Sequence, residues 1–277
     1  MSLPFSDVCE VEAADSATAH QLIDQAVELG KKHRARYVEL RAGQSPFLDE
    51  RGDFVATDNY VRWRLGLAAG EESVWSGVQK PVQRQVKKSR KMGVAVRIAQ
   101  QREDMDIYHH LHVGTRTGKH GMPAQPRAFF RGLWDRFGVD GTMRVALAEY
   151  EGRTIAGMVL FAYGDTVRYA YGASDEQALH LAPNNLLMWD SIAWATSKGY
   201  QFFDMGRTAR DNQGLMEFKR KWGATADPLP YYYWPQVAGL ASTSESSRSY
   251  QILTACWKRL PLPVAATLGG MLYKHLG

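Results

Sequence analysis

At 277 residues, with 45% hydrophobic and 11% aromatic content, the chain carries enough apolar surface for one large domain or two moderate ones, which excludes a disordered tail. Its net charge of +5 favours a polyanionic partner such as RNA, a nucleotide phosphate or an anionic membrane surface. The two cysteines, Cys9 and Cys256, lie at opposite ends with no metal spacing around either, which excludes a disulfide framework and points to a reducing, cytoplasmic setting. Met1 to Asp7 has no basic region and no apolar run, so no secretion signal is expected, and nothing approaches the roughly 18 apolar residues of a membrane span.

Residues Ala17 to His33 place Leu22, Ile23, Ala26, Val27 and Gly30 at helical spacing, and Tyr37 to Leu40 then reads as a strand. The same grammar recurs in a helix from Asn185 to Lys198 and a strand from Tyr200 to Met205, so a duplicated α/β lobe is expected. Alternation in Asp53 to Thr57 and again in Tyr60 to Leu65, around Asp58-Asn59, predicts a hairpin that completes the first lobe's sheet.

The most basic stretch follows. Lys80, Arg84, Lys87, Lys88, Arg90, Lys91 and Arg97 surround a run from Pro81 to Ile98 with no acidic residue, helical as far as Gly93. A solvated face and a phosphate-contacting helix both remain open, with Lys87 and Lys88 as the candidate contacts. His109, His110, His112 and His120 have no carboxylate or cysteine at a supporting spacing, so no metal site is expected and helix surface or packing is the simpler role. Phe129, Phe130, Leu133, Trp134 and Phe137 form the core face of the next helix.

Three strands then run in a meander, Met143 to Tyr150, Thr154 to Tyr163 and Thr166 to Gly172, turning at Glu151-Gly152 and Gly164-Asp165. Simple alternation puts Tyr169 and Tyr171 on one face and Arg168 and Ala170 on the other; the tyrosines either pack or position an acceptor amine. A helix start at Pro183, Asn184 and Asn185 offers anion binding or capping, with Asn184 as the candidate contact.

Phe202 and Phe203 read as a short buried strand ending in Asp204, with Gly206 and Arg207 turning out of it. In the next helix Leu215, Phe218 and Trp222 fall on one face, leaving Lys219 at its border, and Gly223 stops the helix. Spacing alone leaves open a structural Asp204–Arg207 ion pair beside a solvated lysine. Pro228 to Pro235 is an aromatic cluster that closes the second lobe. Val237 to Ser249 reads as a linker, and the amphipathic tail from Tyr250 to Gly277 either touches a membrane interface or docks on its own lobe.

The run Phe203-Asp204-Met205-Gly206-Arg207, followed by Gly214-Leu215, Phe218-Lys219 and Trp222-Gly223, resembles the C-terminal motif of the FemAB-like acyltransferases. The resemblance extends over nearly the whole chain and is strongest from Gly121 to Tyr233. It implies an α/β (α+β) fold of acetyltransferase-like (GNAT) lobes, a mixed central sheet flanked by helices. The domains expected are a partial first lobe at 1–79, a C-terminal acyltransferase lobe at 80–235 with its basic linker helix at 80–93, and a linker and tail at 236–277. Family chains carry further strands and a helix upstream, so the first lobe is expected to be truncated.

The implied activity is transfer of an aminoacyl or related acyl group onto an amine of a cell-envelope or polysaccharide precursor, of the type that accompanies exopolysaccharide or exosortase systems. Lys219 would stabilise the oxyanion, Phe218 shape the channel, Arg207 hold a phosphate, and Asp204 orient Arg207 or take the amine proton. The strands carrying Tyr169 and Asp204 would splay apart to admit the acyl donor. Acetyl-CoA-using members of the fold have spaced glycines after that strand; Gly172 to Asn185 lacks them, so aminoacyl-tRNA is the expected donor over acyl-CoA. The alternatives are an acyl-CoA-dependent N-acyltransferase of amino sugars and a non-catalytic protein that binds polyanions or a membrane surface.

Overall fold

The computed structural model describes residues 6–235 and 254–273, so the expected linker at Val237 to Ser249 lies outside the described residues. In chain order the elements are α1 (Ser16–Lys32), β1 (Val38–Leu40), α2 (Pro46–Asp49), β2 (Val55–Thr57), β3 (Tyr60–Gly66), α3 (Glu71–Gly77), α4 (Lys80–Lys91), β4 (Ala95–Ile98) and α5 (Asp104–Gly114). A π-helical turn (Thr115–His120) leads to α6 (Arg127–Phe137), β5 (Met143–Tyr150), β6 (Arg153–Tyr163) and β7 (Thr166–Ser174). A 3₁₀ turn (Glu176–Leu181) then precedes α7 (Pro183–Ser197), β8 (Phe202–Ala209), α8 (Gln213–Lys221), β9 (Thr225–Pro228) and β10 (Tyr231–Trp234), and the C-terminal helix is α9 (Leu262–Tyr273). Among the described residues the chain forms two compact units, one of residues 6–63, 207–217 and 226–235, the other of 64–206, 218–225 and 254–273.

In the smaller unit a three-stranded antiparallel sheet has the order β1-β10-β2. Helix α1 starts where the Asp15 carboxylate accepts from the Thr18 N–H at 2.7 Å, and it buries Ala19, Ile23 and Val27 one turn apart. Strand alternation splits the tyrosines of β10. Tyr232 joins the cluster of Ile23, Val27, Leu48 and Phe54, whereas Tyr231 and Tyr233 pack with Leu229, Val8 and Tyr60.

The expected hairpin of residues 53–57 and 60–65 does not form: β2 pairs with β10, while β3 lies between β8 and β9 in the other sheet. A tight two-residue hairpin loop of the favoured twist needs positive φ at one or both loop positions, and neither Asp58 nor Asn59 adopts it. By contrast Glu151 and Gly152, at φ 50° and 74°, make that turn and join β5 to β6.

The larger sheet has seven strands in the order β4-β5-β6-β7-β8-β3-β9. The β4 to β7 meander is antiparallel and β8 joins β7 in parallel, so the sheet is mixed as expected. One face carries α7, apolar around most of its circumference, with Leu186, Leu187, Met188, Trp189 and Ile192 buried between the sheet and α4. The other carries α5 and α6, where Phe130, Tyr108 and Met105 pack on Val145, Leu147 and Val159.

The turn after α5 also seats the C-terminal segment. Gly121 has φ 61°, and a Cβ there would lie 2.4 Å from the carbonyl oxygen of Thr254. Gly121→Ala is therefore expected to destabilise the fold by about 2 kcal/mol, combining left-handed strain with a backbone clash. A lowered urea midpoint at unchanged slope would show it; an unchanged midpoint would mean that the segment moves aside freely.

Candidate active site around Asp204 and Lys219

Strand β8 does not end at Asp204. It continues through Gly206 and Arg207 to Ala209, with Phe203, Asp204, Met205 and Gly206 buried in succession, as in a strand covered on both faces. A buried carboxylate needs its lone pairs filled, and Asp204 has that: Oδ1 accepts from the Gly206 N–H at 2.7 Å and Oδ2 from Arg168 Nη1 at 3.1 Å. The first bond is a side chain holding its own backbone two residues on, with Gly206 at φ 74°, where only glycine is free of strain.

The carbonyl of Gly206 in turn accepts from Lys219 Nζ at 3.0 Å. Helix α8 is rotated relative to its sequence pattern. Lys219 is 4% exposed and Phe218 37%, with Leu215 exposed as well, so the amine points inward and the ring outward. A turn of roughly 100° about the axis would bury Phe218 instead, the cheaper arrangement by hydrophobic burial. Tight packing of Trp222 and the Lys219–Gly206 bond hold the costlier one. Gly223, at φ 82°, ends the helix as expected.

Strands β7 and β8 pair only at Thr166–Phe202, Val167–Phe203 and Arg168–Asp204. Beyond those pairs β7 runs on to Ser174 with its pairing on the β6 side. The expected divergence of these strands is thus present, and at the far end of β7 the Ser174 backbone bonds the Thr115 hydroxyl at 3.0 and 3.1 Å in place of a strand.

The two tyrosines of β7 do not share a face. Tyr169 pairs with Leu160 and Tyr171 with Val159, so Ala170 is an extra residue in the ladder, a bulge that reverses the alternation. Val159 faces α5 and α6, and so does Tyr171, whose ring lies 5.5 Å from Phe130 and 6.0 Å from Phe129. Tyr169 takes the opposite face, where its hydroxyl lies 1.9 Å from where a Gly172 Cβ would be. Only glycine leaves it that room, and burial pushes that hydroxyl up to about 12, keeping it a donor at neutral pH. Arg168, by register, shares the face of Tyr171.

Arg207 belongs to the smaller unit. Its Nε lies 3.2 Å from Asp7 Oδ1, its Nη1 donates to the Tyr231 hydroxyl at 2.9 Å, and its guanidinium stacks 4.5 Å from the centre of the Tyr60 ring. The carboxylate expected to orient Arg207 is instead engaged by Arg168 and Gly206, and Arg207 is engaged by Asp7. Neither partner could be read from spacing, because Asp7 is remote in sequence and Arg168 lies on the neighbouring strand, 36 residues away.

Asn184 is not a helix cap. The cap position of α7 is Ala182, at φ 56°, and the Asn184 amide donates to Ser174 Oγ at 3.1 Å, tying the helix start to the end of β7. Lys87 and Lys88 are exposed on α4, whose opposite face buries Val82 and Val86. His112 is buried and its Nε2 lies 2.6 Å from Gln125 Oε1, while His109 Nε2 lies 3.2 Å from the Gln125 carbonyl oxygen, so both are packing residues of α5. Tyr108, which the sequence did not single out, is fully buried and its hydroxyl has no partner among the described residues. Burial, then Tyr169 and Tyr171, raise its pKa.

A cavity of 420 Å³ opens where the π-helical turn meets the end of β7, with Lys119, Arg153, Asp175 and Glu176 in its wall. Asp204, Phe218 and Lys219 do not line it. The chemistry is argued from the buried amine and the strand divergence, since a mixed-charge wall on its own specifies no reaction.

The sequence profile described as "Acetyltransferase (GNAT) domain" matches residues 76–220, or 145 of the 277 residues. Over 121 residues the chain is 26% identical to the UDP-N-acetylmuramoylpentapeptide-lysine N(6)-alanyltransferase of Weissella viridescens, covering 44% of this chain and 35% of that protein. Over 82 residues it is 32% identical to a lipid II:glycine glycyltransferase of Staphylococcus epidermidis, covering 27% of this chain and 20% of that protein. The matched part thus spans about a third and a fifth of these relatives' lengths. The crystal structure of FemX superposes with a TM-score of 0.65 over 84% of this chain and 82% of that one, at 14% identity, which shows a shared fold. The profile covers more than half of the sequence, and so the chain, whose fold is shared with FemX, belongs to the acetyltransferase (GNAT) domain family.

Proposed function

We propose that this protein transfers an aminoacyl group from aminoacyl-tRNA to an amine of a cell-envelope precursor, with Lys219 as the fixed cation beside the reacting carbonyl. The observation that carries this reading is the burial of Lys219 in a helix that leaves Phe218 outside. Desolvating an ammonium costs stability, and a site that accepts the cost uses the charge. The amine attacks the ester carbonyl, the C–N bond forms, and negative charge gathers on the carbonyl oxygen. As the C–O bond to the ribose breaks, the released hydroxyl takes up the proton that the amine gives up. A cation held in low dielectric lowers that barrier by about 3 kcal/mol.

Asp204 acts through the backbone: its bonds to Gly206 and Arg168 fix the carbonyl that holds Lys219. Phe218, beside it and exposed, shapes the approach of the acyl group. The diverging edge of β7, with Tyr169 and Tyr171 on its two faces, receives the extended part of a substrate. Asn184 stands as a further substrate contact.

Two observations favour aminoacyl-tRNA over acyl-CoA. The segment after β7 begins with the Asp175 carboxylate accepting from the Gln177 N–H at 2.9 Å, with Glu176 next to it, so acidic groups stand where a pyrophosphate would need donors. The exposed basic face of α4 suits a nucleic-acid backbone. The relatives named above act, by name, on a muramoylpentapeptide lysine and on lipid II, which supports an envelope amine as acceptor.

The test is transfer from labelled aminoacyl-tRNA to UDP-N-acetylmuramoylpentapeptide, with acyl-CoA run in parallel. Label in the soluble acceptor is the expected result; transfer from acyl-CoA alone would move the function to amino-sugar acylation. Lys87→Glu with Lys88→Glu is expected to weaken tRNA binding by about tenfold and reduce its salt slope by about 2. An unchanged slope would remove α4 from the RNA contact.

A further inference from the structure

Helix α9 presents its side chains in the reverse of the usual order for a surface helix. Ala265 and Gly269, one turn apart, are buried, and a Cβ on Gly269 would lie 2.9 Å from the Ala124 carbonyl oxygen. Gly270 sits 3.4 Å from the Pro126 Cβ by the same measure. The helix is therefore seated on the protein through its smallest residues. Its large ones face out: Val264, Leu268, Met271 and Leu272 are 38% to 60% exposed. They fall at i, i+4, i+7 and i+8, a single apolar stripe. A helix that needed only to cover its own core would turn this stripe inward.

The stripe is bordered by positive charge and by no negative charge of its own segment. α9 contains no charged residue, Lys258 and Arg259 are exposed just before it, and from Ser246 to the end of the chain there is no aspartate or glutamate. Lys258 also lies near the π-helical turn. The His120 imidazole there is pushed down first by burial and then by Arg116, Lys119 and Lys258. Leu262, at the start of α9, is on the rim of the cavity whose wall carries Lys119, Arg153, Asp175 and Glu176. An apolar stripe preceded by two exposed cations, in a segment with no carboxylate of its own, complements a surface of anionic headgroups over hydrocarbon. Twelve residues make a helix of about 18 Å, well short of the roughly 30 Å hydrocarbon core. No described helix is long and apolar enough to cross a membrane.

We propose that α9 docks the protein in the plane of an anionic bilayer, with Val264, Leu268, Met271 and Leu272 at the acyl boundary and Lys258 and Arg259 at the lipid phosphates. This goes beyond the acyl-transfer reading and can fail while that reading stands, because the transfer assay uses a soluble acceptor and the docking assay uses none.

The test is flotation of the full chain with phosphatidylglycerol-rich vesicles and with pure phosphatidylcholine vesicles. Binding to the first is expected, with about tenfold less to the second. Leu268→Glu with Met271→Glu should lower binding by about tenfold or more, and Lys258→Glu with Arg259→Glu should lower it and flatten its salt dependence. These side chains face outward, so an unchanged melting curve is expected. If the first double variant unfolds, Met271→Trp serves in its place, its emission shifting to the blue on phosphatidylglycerol vesicles. Absence of flotation, flotation indifferent to Leu268→Glu with Met271→Glu, or no blue shift would each overturn the proposal. So would a dimer in solution that the same substitutions dissolve, since a second copy would then be the occupant.

Discussion

Lys219→Met is expected to lower the transfer rate by about 100- to 1,000-fold with donor saturating, while the protein stays folded at the assay temperature. The two halves of this result come from the same burial. Lys219 lies 4% exposed with its amine on the Gly206 carbonyl, so methionine, of similar length and without the charge, removes a desolvation cost. Against that gain stands the unpaired Gly206 carbonyl, since removing one partner of a buried charged pair can cost about 3–5 kcal/mol. Loss of a lysine kept only for structure would lower stability through that carbonyl and leave the chemistry intact. The measurement is therefore paired, single-turnover transfer beside thermal unfolding on one preparation. Full rate in the variant ends the oxyanion role. Loss of rate with proportionate loss of folded protein assigns Lys219 to the scaffold.

Lowering the pH from 7 to 4 is expected to remove about 3 kcal/mol of stability through His112, about 2 kcal/mol of it by pH 5. His112 is 3% exposed and packs against Phe130 at 4.8 Å. Burial pushes its imidazole down to about 3, the Gln125 side chain opposes, and Arg116 and His109 add to the fall. Its Nδ1 has no partner among the described residues. The folded chain thus keeps this group neutral where the unfolded chain begins to protonate it, near its ordinary value of 6.5. Stability is full above that pH, falls as the pH drops toward 3, and loses nothing more from this group below.

Asp106 titrates in a different window. Arg127 and Arg131 hold its carboxylate far below the ordinary value of 3.8, so its contribution is present above that value and is lost only below it. His109 and His120, whose imidazoles burial also pushes down, titrate between pH 7 and 4 as well, so the difference in urea midpoint between the wild type and His112→Gln over that range isolates His112. A flat profile in the wild type, or an equally steep one in His112→Gln, would show that the ring is not held neutral.

What local chemistry controls could be read without the structure. Helix α1, the β5–β6–β7 meander and the stop at Gly223 follow from spacing of apolar residues and from glycine at positions of positive φ. The motif from Phe203 to Gly223 was enough to identify the family, because its residues are close in sequence. What remained hidden depends on partners far away along the chain. Whether β2 pairs with β3 or with β10 is decided by a strand that arrives at Tyr231. The bulge at Ala170 exists only in the pairing of β7 with β6, and it alone separates Tyr169 from Tyr171. Asp204 meets Arg168 because β7 and β8 lie in parallel register. Periodicity defines a face of α8 only to within its own rotation; the fit of Trp222 and the carbonyl of Gly206 chose the rotation that buries Lys219. Sequence determined the elements and their order through interactions a few residues long, and tertiary packing decided which polar groups meet, because burial energy and strand register are properties of remote pairs.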